Sequence, residues 1–432
     1  MTSKTTPLKN ILVFPCGSEI GLEIHRSLKN NTHYRLIGGS SIDDHGKFVY
    51  ENYIGNIPFH DASTFLDEIR KIVKKFRIDA IYPSMDSVAV TLKNLESEIG
   101  VTVIGSSEKT TLICASKSTT YTALKDVVPI PRWSTERPAD MPHPIFIKPD
   151  VGYGSRNVCL ATDAAVMASF IRLQKTLVDF IYCDYLPGKE YTIDCFSNRH
   201  EQLIFTGPRE RTRVSNGIST NTRTTSRHRD FFKECAENIN RALKPRGAWF
   251  FQMKEDHAAQ PKLLEVATRL GGSSSLFRSQ GINFALLSIY DAFDLDVRLI
   301  PNNYEVELDR ALNNRYRIDI DYDVIYIDYD DCLLVDGQPN PELISFLFRA
   351  INQKKKVILI TKHAGNIKES LRRHRISDLF DEVIHLESSE SKCDFINPER
   401  AIFIDDSFAE RLAVKNQHGI PVFSLDMIEA LT

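Results

Sequence analysis

A multidomain chain of mixed α/β and α+β type is what the sequence predicts, and three observations predict it. Between residues 10 and 106, short apolar runs alternate with amphipathic helical patterns, as expected of a parallel sheet faced by helices. From 107 to 316 the pattern changes to hairpin-like strands around a basic, threonine-rich stretch, an α+β signature. A fresh apolar strand, "DVIYID", then opens a third region that runs to residue 432, where apolar runs end in aspartate or threonine. A length of 432 residues accommodates two to four such domains.

Composition excludes some function classes. With 42% apolar and 26% charged residues and a formal net charge of −3, the chain has no global pull toward nucleic acid or anionic lipid. Its opening "MTSKTTPLKN" lacks the apolar core of a signal peptide, and no stretch approaches the roughly 18 continuous apolar residues of a membrane span. The expectation is a cytoplasmic protein with neither a nucleic-acid nor a membrane partner. Eight dispersed cysteines form no C-x-x-C pair, and twelve histidines form no ligand pattern, so reduced thiols and no zinc are expected.

In the first region "ILVF" is a strand leading through "PCGSEIG" into the amphipathic "LEIHRSLKN"; "YRLIGG", "DAIYPS" and "VTVIGSS" are the later strands. The loop "CGSEIG" lacks a full G-x-G-x-x-G. It either holds a phosphate at the helix N-terminus or is a plain tight turn.

In the second region, "PIFIKPDVGYGSRNV" brings Lys148 to the end of an apolar strand, followed by a loop with Gly152, Gly154 and Ser155. Glycines let backbone N–H groups close over phosphates, and the lysine adds positive charge. Upstream, "CASKSTTYTAL" sets Lys117 at a helix start. Downstream, "FIYCDYLPGKEYTIDCF" offers two strands with Glu190 between them, and "WFFQMKED" and "KLLEVATRLGGSSS" put Gln252 and Glu265 on neighbouring strands. This succession resembles the ATP-grasp superfamily, carbamoyl-phosphate-synthetase-like branch, over about residues 8 to 316. The resemblance implies a Rossmann-like pre-ATP-grasp domain at 1–106 and an ATP-grasp domain at 107–316, with ATP and Mg2+ as cofactors. It implies that Lys117 and Lys148 bind phosphates, that Gly152, Gly154 and Ser155 belong to the mobile glycine-rich loop, and that backbone groups of Cys183, Asp184, Tyr185 and Leu186 read adenine. Glu190 would hold the ribose, Gln252 and Glu265 the magnesium, and Arg269 the reacting acyl phosphate. The reaction implied is activation of a small-molecule carboxylate as an acyl phosphate, followed by attack of an amine or thiol.

One position departs from the family. Where E-[IV]-N-P-R is usual this chain reads "EVATR", so Ala267 replaces a metal-ligand asparagine and has no oxygen to offer. Either Glu265, water and phosphate oxygens hold the second magnesium, or it binds weakly and ATP binding outlives ligase chemistry. The stretch "RERTRVSNGISTNTRTTSRHRD", with six arginines against two acids, is either a solvated basic loop or an arm for an anionic substrate, with Arg209, Arg211 and Arg213 as candidates.

After "YEVELDRALNNRYRIDID", read as an exposed helix or a linker with its core at 317–321, comes "YIDYDDCLLVDG". Two carboxylates spaced i, i+2 on an extended segment point the same way and repel unless a cation sits between them. Asp328 and Asp330 are that pair; Thr361 ends the strand "VILIT", Lys392 lies in a helical segment, and "AIFIDDS" ends in Asp405 and Asp406. The four signals, separated by 33, 31 and 13 residues, resemble the haloacid-dehalogenase-like phosphatase superfamily over residues 322–432. On that resemblance Asp328 is the nucleophile, Asp330 the general acid and base, and Thr361 and Lys392 hold the phosphoryl oxygens. Asp328, Asp330, Asp405 and Asp406 are the magnesium candidates. Asp331 and Asp336 receive no role. Neither segment between motifs has room for a large cap domain, so the implied Rossmannoid domain is capless and acts on a phosphorylated substrate. The combined expectation is a bifunctional ligase and phosphatase; the alternatives are a phosphatase with a degenerate ATP-binding regulatory module, or a scaffold.

Overall fold

The structure, a computed structural model, describes residues 8–431 apart from 139, 153, 155, 175–178, 314 and 317. It divides into two compact units, Met1–Leu312 and Asn313–Thr432.

The first unit opens with β1 (Lys9–Phe14), β2 (Tyr34–Gly39), β3 (Asn52–Ile54), β4 (Ile78–Pro83) and β5 (Thr102–Val103), a parallel sheet of order β3-β2-β1-β4-β5. The strands are buried because helices such as Glu19–Leu28 and Phe65–Phe76 cover the sheet with their apolar stripes. Next come β6 (Trp133–Ser134), β7 (Ile145–Pro149), β8 (Cys159–Ala161) and β9 (Phe180–Asp184), a small sheet of order β6-β9-β7-β8. A larger sheet follows, from β10 (Glu190–Ser197), β11 (Leu203–Ser215), β12 (Ile218–Thr224), β13 (Gly247–Glu255), β14 (Pro261–Ala267) and β15 (Glu307–Asp309). Its order is β14-β13-β10-β11-β12-β15, and its strand pairs are antiparallel.

Residues 1–106 and 107–312 are not separated by a break in packing. Ile11, Tyr34 and Tyr82 of the parallel sheet share one apolar cluster with Phe196, Leu270, Phe277, Phe284 and Ile289. The charged segment expected to be linker or helix is corrected in part: Glu307–Asp309 pairs with Asn221–Arg223 as the edge strand β15.

The second unit holds β16 (Val324–Ile327), β17 (Leu334–Val335), β18 (Gln338–Pro339), β19 (Lys356–Thr361), β20 (Glu382–His385), β21 (Ala401–Ile404) and β22 (Val422–Phe423). Five of them form a parallel sheet of order β20-β19-β16-β21-β22, while β17 and β18 make a separate ribbon. The chain leaves β16 toward β19 on one side and later returns to β21 on the other, so the topology reverses beside β16, where open sheets place their sites. Asp331 (φ 53°) and Asp336 (φ 51°) occupy left-handed positions, a conformation that aspartate tolerates better than most residues. Two of the four crowded aspartates thus serve the turn. No helix among the described residues is long and apolar enough to cross a membrane.

Candidate functional sites

The first site is a cleft between the four-stranded and six-stranded sheets. Lys148 from β7, Cys183 and Asp184 from β9, Glu190 from β10, Arg211 from β11, Gln252 from β13 and Glu265 from β14 all line it, as do Lys117, Gly152, Gly154, Tyr185 and Leu186. Ser155 lies outside the described residues. Lys117 begins the helix Lys117–Leu124, and its ammonium donates to the carbonyls of Asp150 and Gly152 at 3.2 Å each. Burial pushes that ammonium down, and Glu265 opposes the shift. Lys148 is 7% exposed and donates to Tyr121 Oη at 3.0 Å and to the Leu264 carbonyl at 3.1 Å. Gly154 (φ 67°) lies on the left-handed side, so the loop needs glycine there. The β13–β14 register sets Gln252 directly opposite Glu265. Such a pair of oxygen donors suits a hard dication.

Arg211 crosses this cleft. Its guanidinium pairs with Glu190 and donates to Gln252 Oε1 at 3.1 Å and to the Gly217 carbonyl at 2.7 Å. The other two candidate arginines are corrected. Arg209 is 3% exposed and bound to buried Asp194 at 2.6 Å, a pair that braces β10 against β11. Burial pushes the Asp194 carboxyl up, with Arg209 opposing. Arg213 binds Asp309 of β15 at 2.7 Å, on the outside of the hairpin. Arg269 does not line the cleft; it reaches Asp86, just beyond β4, at 2.7 Å. Ala267 is buried on the same β14 face as Glu265.

The "CGSEIG" loop is a capped turn. Ser18 accepts from the Gly21 N–H at 2.9 Å, the Asp44 carboxylate lies against Gly17, and Glu19 is engaged by Arg310. Arg310, Asp86 and Tyr121 are partners that sequence reading misses: Arg310 and Asp86 sit outside the motifs, and Tyr121, inside "CASKSTTYTAL", receives no role there.

The second site lies at the C-terminal ends of β16, β19 and β21. Register pairs Ile327 with Ile404, so Asp328 and Asp405 leave adjacent strands in step. Lys392, 3% exposed, stands between them at 2.7 Å from each carboxylate. Burial alone would push the Lys392 ammonium down, but the two aspartates hold it up. Burial raises the Asp328 carboxyl against the pull of Lys392, and burial with Asp328 pushes Asp405 up to about 6. Oxygens of Asp328, Asp405 and Asp406 lie within 4.8 Å of one another, a hard donor set that fits Mg2+. Thr361 is fully buried at the end of β19.

Asp330 is corrected as a metal candidate. It is absent from the carboxylate group, and both its oxygens face His363 Nδ1, at 2.9 and 3.0 Å. Two further residues are missed by motif reading. His363 stands two positions past Thr361, on the strand-end side a period of two would give it; Arg411 donates to the carbonyls of Asp405 and Asp406 at 2.6 Å each.

Two facing sheets around a lysine-lined cleft, packed on a parallel α/β layer, define an ATP-grasp fold. Residues 176–313 match a family model described as ATP-grasp in the biosynthetic pathway with Ter operon. The chain is also similar in fold to the biotin carboxylase domain of 2-oxoglutarate carboxylase from Hydrogenobacter thermophilus, in complex with MgADP, ADP and bicarbonate, with 15% identity and a TM-score of 0.59 over 70% of this chain and 74% of that one. Biotin carboxylase from Campylobacter jejuni gives 16% identity and 0.58 over 71% and 76%. N5-carboxyaminoimidazole synthetase from Staphylococcus aureus gives 15% and 0.57 over 68% and 80%. No curated protein matches the chain by sequence.

Proposed function

We propose that the chain is a bifunctional biosynthetic enzyme, an ATP-dependent carboxylate ligase joined to a magnesium-dependent phosphatase. The ligase reading rests on the cleft in which buried Lys148, half-buried Lys117, a glycine loop and the cross-strand Gln252–Glu265 pair converge. Lys117 and Lys148 bind the ATP phosphates under the glycine loop, backbone of Cys183–Leu186 reads adenine, and Glu190 takes the ribose hydroxyls once Arg211 releases it. Gln252 and Glu265 would hold a magnesium ion, which would offset charge on the phosphoryl group. A carboxylate oxygen of the substrate takes the γ-phosphoryl group, releasing ADP. An amine or thiol then attacks the acyl carbon and expels phosphate.

The phosphatase reading rests on Asp328, Thr361, Lys392 and Asp405 converging at the switch point of the second sheet. Magnesium at Asp328, Asp405 and Asp406 would neutralise the charge gathered there. An Asp328 oxygen bonds to phosphorus as the ester P–O bond breaks, and the departing oxygen takes its proton from Asp330. Water then attacks the aspartyl phosphate, giving its proton to Asp330 and freeing Asp328 and phosphate. On the capless reading an open site would favour a bulky phosphorylated substrate; β17 and β18 are the only strands among the described residues between β16 and β19.

Ala267 favours a second reading, a phosphatase with an ATP-binding regulatory module. Purified protein given magnesium-ATP and a panel of carboxylates with amines or thiols separates the two. Substrate-dependent ADP supports the ligase; ATP binding without turnover on any pair supports the regulatory module.

A further inference from the structure

The phosphatase reading asks Asp330 to deliver a proton in one direction, yet its side chain is half exposed beyond the end of β16 and nothing on its own strand fixes it. His363 does. Its Nδ1 sits between the two carboxylate oxygens of Asp330, at 2.9 and 3.0 Å. The histidine is itself held from three other sides. Its backbone N–H donates to Thr361 Oγ1 at 3.1 Å, its carbonyl lies 2.7 Å from His385 Nε2, and its ring meets Tyr329 edge to face at 5.1 Å. Tyr329 is pinned in turn by Ser370 at 2.7 Å. Gly365 completes the seat, since a Cβ there would lie 3.0 Å from His363 Nε2.

A solvent-exposed Asp–His pair contributes little to stability. The restraints on this one fix direction. They tie the acid after β16 to the phosphoryl-binding Thr361 at the end of β19 through a single residue, its imidazole on one side and its backbone N–H on the other. Resting on the phosphatase reading, we propose that His363 is a positioning residue that aims the Asp330 carboxyl at the leaving-group oxygen.

The test is leaving-group dependence in the full chain with magnesium. Para-nitrophenyl phosphate needs little protonation of its departing oxygen, whereas phenyl phosphate needs it. His363→Ala should lower kcat on phenyl phosphate by roughly 10-fold or more while changing para-nitrophenyl phosphate by no more than about threefold, a share of the usual general-acid contribution. His363→Phe keeps the ring against Tyr329 but removes the Nδ1 hydrogen bond to Asp330 and should show the same split. His363→Asn, whose amide can donate from near the Nδ1 position, should recover most of the loss. Adding His363→Ala to Asp330→Asn should cost nothing further, because the two act as one unit. Equal losses on both esters, or additive losses in the double variant, would overturn the inference. If wild-type protein hydrolyses both esters at a rate that Asp328→Asn leaves unchanged, the phosphatase reading itself fails and takes the role of His363 with it.

Discussion

Lys148 is a buried cation whose described donors go to two neutral oxygens, Tyr121 Oη and the Leu264 carbonyl. Phosphate is a better partner than either, so Lys148→Ala should weaken magnesium-ATP binding by about 1.5–3 kcal/mol, as for a charged hydrogen bond. Unchanged affinity in a calorimetric titration would refute the site. Ala267 shares the Glu265 face of β14, so Ala267→Asn should lower the magnesium needed for ATP turnover and leave ester hydrolysis alone. A turnover already saturated at low magnesium, and unmoved by the substitution, would dismiss the depleted metal site. Asp405 carries a pH dependence. Its carboxyl rises from 3.8 to about 6 in the folded chain, so it holds its proton more tightly folded than unfolded. That stabilisation is complete below the ordinary carboxylate value and is lost as pH rises through about 6. Metal-free protein should therefore lose on the order of 3 kcal/mol from this group by pH 7, at about 1.36 kcal/mol per unit. Asp405→Asn should remove that slope in denaturant titrations. Magnesium requires the ionised carboxylate, so the thermal shift it induces should shrink as pH falls through about 6.

At the scale of elements, β15 is three residues long, yet it closes the six-stranded sheet and delivers Arg310 to Glu19 and Ser273. A fragment ending at residue 304 should be less stable than one ending at 312 by about 1–3 kcal/mol, from a few backbone hydrogen bonds at about 1 kcal/mol each. Equal denaturation midpoints would show that the edge strand contributes nothing. This strand also marks where the sequence stops being legible. The strands β1, β4, β16, β19 and β21 can be read because each is a run of buried aliphatic residues bounded by turn chemistry. Three residues in a charged segment have no period to detect. The same limit separates the arginines of β11. Arg209 and Arg211 look alike in sequence, but across β10 the first, opposite Thr192, reaches diagonally to Asp194, while the second pairs with Glu190. Strand-end residues such as Lys148, Asp328 and Asp405 are visible because their position follows from the run before them. His363 and Arg310 are not, since their partners arrive through tertiary packing across large sequence separations.

Across the whole molecule, the two units have separate cores, so damage to one site should spare the other. Asp328→Asn should lose nearly all ester hydrolysis while binding ATP as wild type does, read by calorimetry on the same preparation. If both units serve one intermediate, that variant should also accumulate a phosphorylated ligation product by mass spectrometry, the tether having raised its concentration at the next site. An unphosphorylated product made at the wild-type rate would leave the fusion unexplained. The trio of Asp328, Asp405 and Asp406, the first two bound to Lys392, has a kinetic corollary. Three carboxylates against the Lys392 ammonium and the Arg411 guanidinium leave this pocket negative until a dication enters, so on the phosphatase reading an incoming phosphate ester is repelled by the groups that would later process it. On that reading arrival would be sequenced, magnesium first and ester second. Orthophosphate should give no binding heat with metal-free protein and should begin to bind only once magnesium is supplied.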